Sequence, residues 1–110
     1  DVYSHVKNLI SKMKDGNIWL HTRGLRKFGR PDISIENVPE SEENKAVRIA
    51  NQMIFYSSQG MLFNKKVKLH PYKDKEEAII INPKFIEDYE NIDFNNAYCK
   101  LLWEECEQVI

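Results

Sequence analysis

Ile18-Trp19-Leu20-His21-Thr22-Arg23-Gly24-Leu25-Arg26-Lys27-Phe28-Gly29-Arg30-Pro31-Asp32-Ile33-Ser34-Ile35-Glu36-Asn37-Val38 is the stretch on which the fold turns. At both ends apolar and polar residues alternate with a period of two, the pattern of a strand buried on one side. Ile18 and Leu20 share one face, and Trp19 and His21 share the other. Ile33 and Ile35 point inward, and Ser34 and Glu36 point outward. Strands are predicted at 18–22 and 32–38, in a sheet with one wet face. The loop between them, 23–31, carries Arg23, Arg26, Lys27 and Arg30, two glycines, and Phe28, which is expected to plug into the core.

N-terminal to this stretch, Val2, Val6, Leu9, Ile10 and Met13 recur at helical spacing and predict a helix over 2–14, stopped by Asp15-Gly16-Asn17. On the other side, Pro39 ends the second strand and Ser41 is placed to cap a helix. Glu42 and Glu43 stand in that helix's positive first turn. Its buried stripe runs Ala46, Val47, Ala50, Met53, Ile54, Ser57, and Gly60 ends it. Residues 66–72 alternate again, with Pro71 marking an edge strand. Ala78 to Ile81 is apolar on both faces and reads as a short central strand closed by Pro83. A last helix is predicted over 93–108, with Asp93 as cap and Phe94, Ala97, Tyr98, Leu101 and Leu102 as its stripe, extended by Val109. The predicted order is α-β-β-α-β-β-α: an α+β domain with about four strands in a mainly antiparallel sheet and three helices.

The 110 residues suit a single domain with a core of its own. The composition, 42% hydrophobic and 30% charged, is that of a globular protein rather than a disordered one. A net charge of −1 supplies no global attraction to nucleic acid or membrane. The charge is unevenly spread: residues 1–84 carry 15 basic and 10 acidic side chains, and residues 85–110 carry one basic and seven acidic. Cys99 and Cys106, seven apart on the predicted last helix, would lie roughly 10 Å from each other, too far for a disulfide. A reducing, cytoplasmic setting is the expectation. No apolar run reaches the length of a membrane span. The chain begins with Asp1 rather than Met, which reads as a piece of a longer protein.

The 21–32 segment has the composition of an anion-binding loop, since glycines expose backbone amides and arginines grip carboxylates or phosphates with paired bonds. The spacing of Gly24 and Gly29 imitates half a P-loop, but the Lys-Ser/Thr that must follow is replaced by Arg30-Pro31 and a strand. A second basic cluster, Lys65, Lys66, Lys68, His70, Lys73 and Lys75, surrounds Tyr72, which could stack on a base. Pro31-Asp32 followed by Glu43-Asn44-Lys45 imitates a metal-dependent nuclease, with two carboxylates for Mg²⁺ and a lysine for the attacking water. There Glu43 and Lys45 fall on a helix rather than a strand. His5, His21 and His70 are scattered singly, without metal-ligand spacing. A Cys–His dyad would need Cys99 or Cys106 to meet His21 or His70.

Thr22-Arg23-Gly24-Leu25 and Phe28-Gly29-Arg30-Pro31-Asp32-Ile33-Ser34-Ile35, followed by the acidic helix with Ala46 and Ala50 and by Gly60, resemble the bacterial family catalogued as domain of unknown function 4261. The likeness extends from Trp19 to about Lys68. Asp32 and Ser34 stand where that family is expected to carry two acids. The resemblance implies a small intracellular bacterial domain and transfers no catalytic residue.

The functional expectation is a non-catalytic protein-interaction module without a cofactor. Its surface would comprise Arg23, Arg26, Lys27 and Arg30 of the loop with His21 and His70, meeting a protein partner or a neighbouring domain. The outer strand face, with Trp19, His21, Ser34, Glu36 and His70, is the surface to probe. The alternative is a nucleic-acid or phosphate-ligand binding domain. A metal nuclease or Cys–His hydrolase stands third.

Overall fold

The computed structural model describes residues 5–86 and 98–109. Along the chain run β1 (Lys7–Lys12), β2 (Ile18–Arg23), β3 (Asp32–Val38), α1 (Glu43–Ser58), β4 (Val67–Leu69), β5 (Ala78–Ile81), β6 (Lys84–Ile86), β7 (Tyr98–Leu102) and β8 (Glu107–Val109). They form a five-stranded sheet in the order β1-β2-β3-β7-β6 and a three-stranded sheet in the order β4-β5-β8. The larger sheet is mixed: β3 and β7 are parallel, and the other pairs are antiparallel.

The expected three helices and single four-stranded sheet are therefore wrong. Among the described residues there are eight strands and one α-helix, α1, preceded by a 3₁₀ turn at Glu40–Glu42. In place of the expected N-terminal helix, Lys7–Lys12 is strand β1; Val2 of that expected stripe lies outside the described residues. Asp15-Gly16 does not cap a helix but turns a hairpin. Met13 N–H donates to the Asn17 carbonyl at 2.8 Å, Gly16 N–H donates to the Met13 carbonyl at 3.0 Å, and Gly16 takes φ +88°. Leu9 and Ile10, being adjacent, suit a helical stripe, and in the strand Ile10 is left exposed. A full ladder with β2, from Lys7 opposite Arg23 to Lys12 opposite Ile18, decides for the strand, because a short isolated helix is marginal in water.

The predicted last helix is also wrong. Cys99 and Leu101 are buried while Tyr98, Lys100 and Leu102 are half-buried, a period of two. Cys99 lies opposite Ile33 and Leu101 opposite Ile35. Parallel neighbours need a long crossover, and α1 lies within it. Trp103–Glu105 then turns into β8. Asp93, Phe94 and Ala97 lie outside the described residues.

β2, β3, α1 and β5 lie where the sequence pattern places them, and β5 is the centre of its sheet. Ser41 is not the helix cap: it sits inside the 3₁₀ turn, and Glu42 occupies the N-cap without a capping hydrogen bond. Phe28 does not plug into the core; it is 41% exposed, and Leu25 is buried in its place. A bulge in β3 carries Val38 inward. Leu20 pairs with Ile35, while Ile18 pairs with Val38 three residues on. Asn37 takes up the extra residue at φ +61°.

One apolar cluster holds the domain. α1 lays Ala46, Ile49, Ala50, Met53 and Ile54 against Ile18, Leu20, Ile33 and Ile35 of the larger sheet. Leu69, Ile79 and Ile81 of the smaller sheet close it. Each fully buried Leu or Ile contributes roughly 1.5–3 kcal/mol. With α1 on one face of the larger sheet, the opposite face carries the alternate residues: Trp19, His21 and Arg23 on β2, and Asp32, Ser34 and Glu36 on β3.

Candidate functional site

That opposite face is concave, with a cavity of about 660 Å³. Its floor is made by period two. His21 and Trp19 are two residues apart on β2, so their rings meet, with centroids 4.1 Å apart and planes 20° from parallel. Trp19 Nε1–H donates to Ser34 Oγ on β3 at 2.8 Å, which ties the indole to the neighbouring strand. Tyr98, opposite Asp32 in the β3–β7 register, lines the far side.

The loop over one end is held by Asp32. Its Oδ1 accepts from Thr22 Oγ1 at 3.0 Å and from Leu25 N–H at 3.1 Å, and its Oδ2 is 3.6 Å from Arg26 Nε. Thr22 Oγ1 in turn accepts from Ile33 N–H at 2.9 Å, tying β2 to β3. Gly24, at φ +121°, lets the loop pass the N-terminal chain; a Cβ there would stand 2.6 Å from the His5 carbonyl oxygen. The result is a short 3₁₀ turn, Leu25–Phe28, that sets Arg26 and Lys27 beside Arg23 on the rim of the concavity.

The electrostatics follow from this wiring. Asp32 is engaged by Arg26 and two donors, and Glu36 pairs with Lys100 at 3.4 Å. Among the described residues Arg23 and Lys27 have no ion-pair partner, so the rim is net positive. Burial, then the Arg23 guanidinium, holds the His21 imidazole below its ordinary value, against a smaller opposing pull from Asp32. His21 Nδ1 is shielded from solvent and has no hydrogen-bond partner among the described residues.

Of the six residues expected to bind, His21, Arg23, Arg26 and Lys27 come together around this concavity. Arg30 does not: it borders a separate, mainly apolar cavity of about 330 Å³ lined by Met61, Leu62, Phe63 and Phe85. His70 does not either. It follows β4 of the smaller sheet, where its carbonyl accepts from Gln52 Nε2 on α1. The second basic cluster is likewise remote, and Tyr72 already has Arg48 and Lys75 over its ring at 4.9 Å each. Tyr98 was hidden from the sequence by its place on a predicted helix. Ser34 and Trp19 were visible from alternation alone.

The catalytic constellations do not assemble. Lys45 bonds Glu77 and Gln108 next to the smaller sheet, and Glu43 opens α1, so neither reaches Asp32. Among the described residues no three His, Cys, Asp or Glu side chains are grouped to hold a metal ion. Cys99 is buried on the core side of the sheet, opposite to His21, and burial pushes its thiol up to about 12. Cys106 is pushed up to about 12 as well, by burial and then by Glu105. Neither is a thiolate near neutral pH. Among the described residues no helix is long and apolar enough to cross a membrane. No family model, curated protein or solved structure matches the chain.

Proposed function

We propose that this domain is a non-catalytic interaction module whose open sheet face receives an anionic group of its partner. One observation carries the reading: Asp32 anchors the 24–28 loop so that Arg23, Arg26 and Lys27 line one rim of a concavity whose own carboxylates are already paired. Cations fixed by a rigid framework bind anions without an ordering cost at the moment of binding. The basic loop expected to make the contact thus acts with the sheet face and not alone, and Arg30 and His70 take no part in this surface.

A polyanion column tests the reading. The wild-type chain is expected to be retained on heparin at low salt and released as salt rises. The double reversal Arg23→Glu, Lys27→Glu should pass through with an unchanged melting temperature, because both side chains are exposed at the rim. The control reversal Lys65→Glu, Lys66→Glu should still be retained. If the wild type is not retained, or the control abolishes retention and the rim reversal does not, this face is not the binding surface.

A further inference from the structure

We infer that the anionic partner is a nucleotide unit, a phosphate joined to a planar base, presented by single-stranded nucleic acid or by a free nucleotide. The inference deepens the anion-binding reading and rests on it.

A site for a carboxylate or a bare phosphate needs only the cationic rim. This site also has an aromatic floor. Trp19 and His21 stack ring on ring on the sheet face away from α1, and Tyr98 stands across β3 from them; a base would extend that stack from its outer side. Aromatic residues on a sheet face beside a positive groove form the usual platform for unpaired bases, because every base has a face to stack. The spacing fits as well. His21 and Arg23 lie two residues apart on one strand, ~6.5 Å. Phosphate on the rim and a base stacked against the rings can therefore be contacted together, as a nucleotide holds them. Lys7 lies opposite Arg23 in the β1–β2 register, which places it on the same face and continues the positive track away from the rings.

Polar groups are available to read the base or sugar. Arg23, Lys27 and the Glu36 carboxylate line the cavity and offer donors and an acceptor to a base edge or a sugar hydroxyl. The cavity, about 660 Å³, falls within the range of small-ligand sites. An acidic peptide would engage the rim but leave the stacked rings unused, so the nucleotide accounts for more of what the face contains.

The test uses the ¹⁵N-labelled chain, whose two indole N–H signals separate Trp19 at the site from Trp103 in the core. The probes are adenosine monophosphate, an octa-adenylate strand, inorganic phosphate and an octaglutamate peptide. Adenylate is expected to shift the Trp19 signal and leave Trp103 still, at concentrations where phosphate and octaglutamate shift neither. Trp19→Ala should weaken adenylate binding roughly ten-fold. Trp19→Phe, which keeps a ring, should retain most of it, and Arg23→Glu with Lys27→Glu should abolish it. Equal affinity per nucleotide for the monophosphate and the strand identifies a free nucleotide as sufficient; binding of the strand alone identifies nucleic acid. Octaglutamate binding as tightly as adenylate, with Trp19→Phe or Trp19→Ala without effect, overturns the nucleotide while leaving the anion-binding face intact. Failure of every probe, heparin retention included, overturns both.

Discussion

His21 shows how much a single side chain's surroundings add to its place in the pattern. Alternation on β2 puts it on the outer face, but alternation says nothing of the Trp19 ring against it or of Arg23 two positions on. Burial and that guanidinium hold its imidazole below the unfolded value of about 6.5. The folded chain therefore takes up this proton at a lower pH than the unfolded chain. The consequence has a definite sign: above about pH 7.5 the residue makes stability no function of pH. As pH falls below 6.5 the unfolded chain is protonated first and stability drops. Urea midpoints of the wild type and of His21→Gln, measured from pH 7.5 to pH 5, are expected to converge or cross in that direction, the wild type losing more. Parallel lines would mean that the imidazole titrates as in a free chain.

At the scale of elements, what was legible depended on whether two periods competed. β2 and β3 alternate so cleanly, Ile18-Leu20 and Ile33-Ile35 inward, that no helical reading fits them. In β1 and β7 the adjacent apolar pairs Leu9-Ile10 and Leu101-Leu102 break a period of two and admit 3.6, and tertiary pairing overrode that local signal. Asp15-Gly16 was the signal that could have settled the first case, as a hairpin turn rather than a helix stop. The bulge at Asn37 was illegible for a different reason: its register shift exists only in relation to β2. It leaves a backbone at φ +61°, which Gly or Asn tolerates and a β-branched residue does not. Asn37→Val is expected to cost about 1–2 kcal/mol in urea unfolding, and Asn37→Gly less than half of that. Equal costs would show that the side chain's own contacts, not the backbone, decide the residue here.

For the whole molecule, two sheets could mean two folding units or one. A continuous apolar cluster argues for one: Ile79 and Ile81 of the smaller sheet pack in the same core as Leu20, Ile35 and Met53, and all five are fully buried. The link is reinforced at the joint between β7 and β8, where Trp103 Nε1–H donates to Glu42 Oε2 at 2.8 Å and ties the smaller sheet's last strand to the start of α1. Lys45 extends that tie by bonding both Glu77 and Gln108. The two tryptophans then report on distant parts of one cooperative transition: Trp19 lies on the open face of the larger sheet, and Trp103 lies at the junction of the two sheets. Loss of their native indole N–H signals with urea is expected at a single midpoint, because neither sheet can bury its apolar side without the other. Two midpoints, with Trp103 failing first, would make the smaller sheet a separately opening unit. The open face, which belongs wholly to the larger sheet, would then keep its ligand site through that first step, and adenylate would still shift Trp19 between the two transitions.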